Sequence, residues 1–262
     1  MISYIKREGN KNLIAHNIIK YFPQHETFID IFFGVGGIFF NKEPAKYNFI
    51  NDIDDNIYNF YMTLKNNKTE LINEINTLIA SEKLFNHFQT TPPQSNIEKA
   101  VRFFYLHNFS QFGSTRSFNI VFQNNKTIQI ETTKLLSSKL NYSNVIILKT
   151  HFKNILNKIV NLKKESSFIY ADPPYLDTDA RYHKHHKQGK WKRDDTNLLF
   201  KILYESGIRF AISEFENEII LELVKKYNLN YIKIMERKNI KNIRTEILIT
   251  NYSIEKDQHE LF

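Results

Sequence analysis

The sequence predicts an α/β fold, and three observations lead to that prediction. Short runs of apolar, strand-favouring residues occur at residues 27–33, 145–148 and 168–170, as expected of buried strands. Segments with apolar residues at helical spacing lie between such runs. Between residues 66 and 143, polar helical and irregular sequence replaces this alternation. We therefore expect a sheet flanked by helices and interrupted by an inserted module.

The composition limits the classes of function. The chain has 262 residues, which allows one large domain with a full hydrophobic core. Its 36 Lys and Arg residues exceed its 28 Asp and Glu residues, and the net charge of +8 favours a polyanionic partner. Cysteine is absent, which excludes disulfides, zinc–thiolate sites and cysteine nucleophiles. Because no membrane-spanning run or signal peptide is visible, we expect a cytoplasmic protein.

The first elements form a β-α-β pattern. Helical spacing of apolar residues predicts a helix over residues 12–22, which Pro23 ends. The strand predicted at residues 27–33 is followed by a glycine-rich turn, Gly34-Val35-Gly36-Gly37, and by the start of a helix. A second strand is predicted at residues 47–51.

A polar segment, Asp52-Ile53-Asp54-Asp55, follows the second strand. It ends that strand and supplies an N-cap for a helix over residues 57–64. Within the inserted module, Ser95-Asn96-Ile97-Glu98 fits a capping box before a helix that reaches Tyr105, and residues 111–119 form a loop.

The remaining elements restore the alternation of strands and helices. In chain order they are strands at 145–148 and 168–170, a helix at 198–203, a strand at 208–212, a helix at 219–227, and strands at 231–234 and 246–250.

The segment Asp172-Pro173-Pro174-Tyr175 stands directly after the strand at 168–170. In open α/β sheets, ligands bind at the carboxyl ends of the strands. The two prolines lack a backbone N–H, so the Asp172 carboxylate and nearby carbonyls are acceptors with little competition from donors. Such a site suits a substrate amino group, and an ordinary proline turn is the alternative.

The glycine-rich turn lets backbone amides approach a ligand closely. Asp52 follows Asp30 at about the 20-residue spacing where nucleotide-binding α/β folds place an acid that accepts from ribose hydroxyls. As an isolated pattern, Asp52 is explained equally well by helix capping.

Together and in this order, these motifs resemble the Dam-like class (D12 class, alpha group) of DNA adenine-N6 methyltransferases, which take their methyl group from S-adenosyl-L-methionine. The resemblance implies a Rossmann-like mixed sheet flanked by helices. It also implies a catalytic domain of residues 1–65 and 144–262 and a mainly helical target-recognition insertion of residues 66–143. Double-stranded DNA is the implied partner, and a cognate restriction endonuclease is a candidate one.

The resemblance assigns cofactor-binding residues by motif. Tyr4 to Lys11 is similar to the family's Phe-x-Lys-Trp-x-Gly-Gly-Lys, with Arg7 in place of tryptophan. The turn is similar to (Glu/Asp)-Pro-Phe-x-Gly-x-Gly, and His151 stands where the family has an acid beside an aromatic residue. The residues so implied at the cofactor are Arg7, Lys11, Asp30, Phe32, Gly34, Gly36, Asp52, Phe152 and Asp172.

The same resemblance implies catalytic roles for the four residues Asp172 to Tyr175. The target adenine would leave the duplex, and the Asp172 carboxylate and the Pro173 carbonyl would accept from its amino group. Pro174 would stiffen the turn, and Tyr175 would offer an aromatic face to the base. Near the C-terminus, residues 244–251 resemble the family's Glu-x-Leu-Ile-x-Asn strand, and Glu214 replaces its usual asparagine.

DNA contacts are predicted in two loops. Residues 113–119 resemble the family's recognition segment, which implies Arg116 and Asn119 at the DNA. A basic run at 181–193, with Lys190 and Trp191, is placed to follow phosphates or to fill the gap left by a flipped base. A solvated loop is the alternative in each case. No metal is expected, because the histidines of this run have no identifiable ligand partner.

Other functions remain open at this point. The rivals are methylation of cytosine N4 in DNA, methylation of adenine in RNA, and DNA binding without catalysis on the same scaffold. An aspartate in the first motif position favours adenine, since cytosine-N4 enzymes more often carry Ser-Pro-Pro-Tyr.

Overall fold

The computed structural model describes residues 5–7, 9–119, 140, 144–159, 161–176, 191–238 and 243–254. In this part of the chain the strands are β1 Thr27–Asp30, β2 Tyr47–Asn51, β3 Val145–Leu148, β4 Ser167–Ala171, β5 Arg209–Phe215, β6 Asn230–Lys238 and β7 Ile243–Thr250. The α-helices are α1 Ala15–Ile19, α2 Asp55–Asn66, α3 Lys68–Thr77, α4 Glu82–Thr90, α5 Asn96–Asn108, α6 Ile155–Lys158, α7 Arg193–Ser206 and α8 Glu218–Lys226.

The strands form a mixed sheet in the order β3-β2-β1-β4-β5-β7-β6. β4 is parallel to both β1 and β5, and β7 is antiparallel to β5 and β6. Every residue of β4 is buried, as its continuous apolar run predicts. The predicted Rossmann-like mixed sheet with helices is therefore confirmed.

The chain divides into two compact units. One comprises Met1–His16 and Phe33–Thr150, and the other comprises Asn17–Phe32 and His151–Phe262. The boundaries of the target-recognition insertion at residues 66–143 stay a prediction.

In the first unit, β2 and β3 pair in parallel and α5 packs along α2. The ring of Phe60 on α2 lies 5.3 Å from that of Phe103 on α5. The predicted capping box at α5 is altered by one residue: Ser95 accepts from the Glu98 backbone N–H, while the Glu98 carboxylate accepts from the N–H of Gln94 rather than Ser95.

Two expectations on element length are corrected. The helix predicted over residues 12–22 is regular only at Ala15–Ile19, and separate turns carry the chain to Phe22, whose ring packs 4.7 Å from that of Phe168. The strand predicted at 27–33 ends at Asp30, and residues 31–33 continue without strand structure to the glycine-rich turn. No helix in the described residues is long and apolar enough to cross a membrane.

Candidate active site

In the second unit, the Asp172-Pro173-Pro174-Tyr175 segment begins where β4 ends. β1 lies beside β4 in parallel, with Asp30 opposite Tyr170, so the carboxyl ends of both strands lie at one edge of the sheet. Asp30 is buried, and Asp172 is half-buried. Two acidic residues predicted at the site thus end neighbouring strands, at the edge where α/β folds bind ligands.

Tyr170 fixes the strand beneath this segment. Its hydroxyl forms a 2.8 Å hydrogen bond with the hydroxyl of Ser213 on β5. Burial, followed by the negative charge of Asp172, raises the pKa of Tyr170 well above its ordinary value of 10.0. The hydroxyl therefore stays neutral and links β4 to β5 at the level of Asp172.

Tyr175 is held by two residues of the sheet. Its hydroxyl donates to the Glu246 carboxylate over 3.1 Å, and its ring meets that of Phe215 nearly at right angles with centroids 4.6 Å apart. Burial, and then the charges of Asp172 and Glu246, raise the pKa of Tyr175 well above its usual value. The side chain predicted to face the target base therefore has a defined orientation.

An aromatic cluster in the same unit brings together residues predicted to serve different ligands. The rings of Phe32 and Phe152, both assigned to the cofactor, lie 5.8 Å apart. Trp191, assigned to DNA, lies 5.6 Å from Phe32 and 5.3 Å from Phe152, and its indole N–H donates to Thr196 over 2.8 Å. The structure therefore places Trp191 with the residues assigned to the cofactor.

His151, next to this cluster, differs chemically from the acid that it replaces. Its Nδ1 accepts the backbone N–H of Lys153 over 3.3 Å, and its ring lies 4.6 Å from that of Phe152. Burial, followed by the charge of Lys153, lowers the pKa of His151. With Nδ1 acting as acceptor, the ring proton of the neutral form is on Nε2, so His151 offers a donor where a carboxylate would accept.

In the first unit, Asp52 accepts from the turn that precedes it in the chain. One carboxylate oxygen accepts the Gly34 N–H over 2.8 Å, and the other accepts the Asp54 N–H over 2.9 Å. A carboxylate has about four acceptor positions, so these two bonds leave capacity for hydroxyl donors. Burial raises the pKa of Asp52 above its ordinary value of 3.8, and the positive charge of Arg7 opposes that rise.

Arg7 acts in this unit through its charge. Its guanidinium forms an ion pair with Asp54 over 3.5 Å. Asp54 in turn caps α2 by accepting from the Asn56 N–H over 2.9 Å. The residue that replaces the family's tryptophan is thus tied to the acidic segment that contains Asp52.

Two glycines of the turn have left-handed backbones, with φ of +55° at Gly34 and +74° at Gly36. Among the described residues, a Cβ at Gly34 would meet nothing within 4 Å, whereas a Cβ at Gly36 would lie 2.3 Å from the ring of Phe40. Gly34 therefore has an open side, next to the Asp52 carboxylate that it contacts. An open backbone beside a carboxylate with spare acceptors fits a nucleoside with ribose hydroxyls. Lys11 is buried in the same unit.

The segment predicted to recognise DNA is braced by short contacts. The Gln89 amide donates to the carbonyls of Thr115 and Arg116 over 2.8 and 3.0 Å. Asn119 donates its backbone N–H to Phe109 over 2.9 Å, while the Arg116 side chain is exposed. The arginine is thus presented to solvent from an ordered loop.

Sequence reasoning missed Phe112 in this loop. Its side chain is 77% exposed and its backbone is left-handed, with φ of 54°. The next residue, Gly113, packs so closely on the N-terminal segment that a Cβ there would lie 2.0 Å from the Lys6 carbonyl oxygen. The only hint in the sequence is an aromatic residue within a polar recognition loop.

Lys190 and the histidine-rich run lie outside the described residues. Within the described ranges, no group of three or more His, Asp or Glu side chains could hold a metal ion.

Comparisons with known proteins point to one family. A family model described as "D12 class N6 adenine-specific DNA methyltransferase" matches residues 8–243. The chain is 25% identical to the type II methyltransferase M1.LlaDCHI of Lactococcus lactis subsp. cremoris, with 95% of each chain covered. It is 21% identical to the DNA adenine methylase of Escherichia coli K12, with 88% of this chain and 87% of that protein covered.

One further relative is more than twice as long as this chain, and one solved structure has a much lower sequence identity to it. The chain is 25% identical to the type II methyltransferase M.FokI of Planomicrobium okeanokoites, with 96% of this chain covered but only 43% of that protein. A solved rRNA methylase from Streptococcus thermophilus matches at 10% identity with a TM-score of 0.41, covering 95% of this chain and 98% of that one. The fold assignment therefore rests on the strand order of this chain.

Proposed function

Because the chain belongs to the D12 class of N6 adenine-specific DNA methyltransferases, we propose that Asp172 and Pro173 hold the amino group of the target adenine during methyl transfer. The protein is an adenine-specific DNA methyltransferase with S-adenosylmethionine as methyl donor. The observation that supports these roles is the position of Asp172 directly after β4, beside the end of β1 and before two residues that cannot donate a backbone hydrogen.

The chemistry explains why acceptors are needed there. The lone pair of the adenine amino nitrogen is delocalised into the ring, so the group is a poor nucleophile. Acceptors at Asp172 and Pro173 favour the pyramidal nitrogen that can attack. When bound, the cofactor would supply a methyl group whose bond to sulfur breaks as the bond to nitrogen forms. The carboxylate of Asp172 would stabilise the positive charge on the nitrogen until that nitrogen loses a proton to solvent. Positioning and preorganised charge therefore do most of the catalysis.

We propose further that the adenine leaves the duplex before it reacts. Extrusion costs roughly a few kcal/mol, and Tyr175, held by Glu246 and Phe215, offers an aromatic face to the extruded base.

A test of base extrusion requires the target sequence. That sequence can be identified by sequencing the methylated adenines in DNA from cells that express the protein. We expect a duplex with 2-aminopurine at the target position to gain fluorescence when the protein binds, because that base becomes unstacked. A duplex with the probe two positions away is the control. Tight binding without a fluorescence change at the target position would contradict extrusion.

For the cofactor, we propose that Asp52 accepts from the ribose hydroxyls and that Gly34 lets the nucleoside approach the backbone. Phe32 and Phe152 are proposed beside the adenine ring of the cofactor. Because Trp191 packs on both rings, we now propose it as a third aromatic residue of that group rather than as a DNA contact.

The two turn glycines give a matched pair of variants. Gly34→Ala should lower stability by only about 1–2 kcal/mol, the cost of a left-handed backbone, because its Cβ meets no atom of the described part of the chain within 4 Å. Its cofactor affinity should nevertheless fall about ten-fold or more, since the methyl group would crowd the bound nucleoside. Gly36→Ala should mainly lower the thermal midpoint, because its Cβ collides with Phe40. Calorimetry and thermal unfolding separate the two outcomes, and equal cofactor affinity of Gly34→Ala and wild type would contradict the role of Gly34.

For DNA, we propose that Arg116 and Asn119 contact the target site and that Lys190 contributes positive charge. We add Phe112, whose exposed ring can stack on a base. The support is the braced loop that presents Arg116 to solvent.

Replacement of Arg116 should weaken DNA binding more than the loss of one charge elsewhere. We expect Arg116→Met to lose about 1–3 kcal/mol of binding free energy if it reads a base, with relaxed sequence preference. Lys201→Met, which removes one exposed positive charge from α7, is the control. Binding isotherms on specific and unrelated duplexes measure both effects, and equal weakening in the two variants would argue against a role for Arg116.

Relatives named type II methyltransferases support a further proposal, that the chain protects DNA against a cognate restriction endonuclease. Extracts of the source cells that cleave only DNA unmethylated at the mapped site would support it.

A further inference from the structure

The glutamate of the Glu-x-Leu-Ile-x-Asn motif, Glu246, holds the Tyr175 hydroxyl, but no part in turnover has been assigned to it so far. The motif's last residue, Asn251, has a structural one, because its amide accepts from the Phe210 N–H over 2.8 Å and donates to the Ile208 carbonyl over 2.9 Å. Asn251 thus secures the end of β7 against the start of β5. Glu246 lies at the other end of the pairing, opposite Phe215.

The Glu246 side chain is fully buried. Burial of a carboxylate is costly unless hydrogen bonds compensate for it, and the strand pairing of β7 uses only the backbone. One compensating partner is Tyr175, whose hydroxyl donates to Glu246 over 3.1 Å. The buried carboxylate of Glu246 thus contacts Tyr175, the aromatic residue of the proposed catalytic segment.

The hydrogen bond from Tyr175 to Glu246 and the packing around Tyr175 together fix the orientation of its ring. Phe215, the residue opposite Glu246 in the sheet, meets the Tyr175 ring edge to face. The Arg244 guanidinium lies over the Phe215 ring, 5.4 Å from its centroid. The residues of one register pair of β5 and β7 thus hold both the hydroxyl and the ring of Tyr175.

We propose that Glu246 is a positioning residue of the methyl transfer: through the Tyr175 hydroxyl, it holds the aromatic face against which the target adenine rests. The proposal rests on the proposed role of Tyr175 at the extruded base. Glu246 itself touches neither the base nor the cofactor in this proposal, so its removal should change turnover and not the affinity for S-adenosylmethionine.

A double-mutant cycle tests the proposal. Glu246→Leu removes the acceptor and Tyr175→Phe removes the donor while keeping the ring. Each should lower kcat by about ten-fold or more, the effect of a lost hydrogen bond to a charged group. The double variant should be no slower than either single variant, because both remove the same contact. Multiplied losses, or wild-type kcat in Tyr175→Phe, would overturn the proposal.

Further variants separate positioning from folding. Glu246→Gln retains a side-chain carbonyl that can accept from Tyr175, so it should be faster than Glu246→Leu; equal rates of the two would overturn the proposal. Glu236→Leu, an exposed acid on β6, is the control for changes to the sheet. If Glu246→Leu does not fold, Tyr175→Phe decides the outcome, with calorimetry expected to show unchanged cofactor affinity.

Failure of the role proposed for Glu246 can be distinguished from failure of the proposed active site. If Asp172→Asn abolishes turnover while Tyr175→Phe retains it, only the role of Glu246 fails. If Asp172→Asn retains turnover, the proposed active site fails instead.

Discussion

Asp172→Asn is expected to lower kcat by on the order of 100-fold or more, the usual cost of losing a preorganised charged partner in the transition state. The substitution keeps the size of the side chain and the two prolines after it. It removes the negative charge that, in the proposed mechanism, stabilises the nitrogen as it becomes positive. Steady-state methylation of a duplex that contains the target site, at saturating cofactor and DNA, measures this loss directly.

The controls must show that the loss of turnover comes from the methyl-transfer step and not from unfolding of the protein. Asp194→Asn, at an exposed acid in the first turn of α7, should retain wild-type kcat. Asp172→Asn should also unfold at a temperature close to that of the wild type, because Asp172 is only half-buried. Near-normal turnover of Asp172→Asn with cofactor bound would contradict the assignment of the catalytic carboxylate.

Asp52→Ala is expected to weaken S-adenosylmethionine binding about ten- to 100-fold, the range for a lost hydrogen bond to a charged group. The carboxylate also organises the turn by accepting from Gly34 and Asp54, so part of the loss will come from the turn itself. Calorimetric titration gives the affinity. Asp55→Ala is the control, because Asp55 is exposed and pairs with Lys99 and Lys149; an equal loss in that variant would contradict a specific role for Asp52.

The decrease of cofactor affinity at low pH provides a second test of the role proposed for Asp52. Ribose hydroxyls require the ionised carboxylate, and burial raises the pKa of Asp52 above 3.8. The affinity for S-adenosylmethionine should therefore be at its maximum when the pH is above the raised pKa of Asp52, and it should decrease as the pH falls through that pKa. The decrease should occur at a higher pH than it would with an aspartate of ordinary pKa. Arg7 lowers this pKa, so Arg7→Met should move the loss of affinity to still higher pH. A midpoint that Arg7→Met does not move would contradict this coupling.

Local sequence was enough to predict the parts of the fold that depend on local patterns. β2 and β3 occur at the predicted residues because alternating or continuous apolar runs and polar ends define them. The strand before Asp172 was predicted for the same reason, and with it the position of the Asp172–Tyr175 segment at the end of β4. The shortening of the helix predicted at 12–22 to Ala15–Ile19 was not predicted, because at its C-terminal end Phe22 packs on Phe168 instead of continuing the helix.

Long-range contacts in the site were beyond sequence reasoning. The pairing of β5 with β7 places Glu246 opposite Phe215 and beside Tyr175, and no local pattern gives that register. Trp191 lies within the basic run at 181–193, which suggested DNA, but its ring packs on Phe32 and Phe152 from distant segments. Motif spacing can predict which residues end strands, whereas it cannot predict which side chains meet across the sheet.

The most direct test is the identity of the methylated atom and its dependence on Asp172. Purified protein is incubated with duplex DNA and S-adenosylmethionine that carries an isotopically labelled methyl group, and the DNA is then digested to nucleosides for mass spectrometry. The label is predicted in N6-methyladenine with the wild-type protein and should be nearly absent with Asp172→Asn. Label in N4-methylcytosine, or equal labelling by both proteins, would contradict the assignment of Asp172 to adenine methylation.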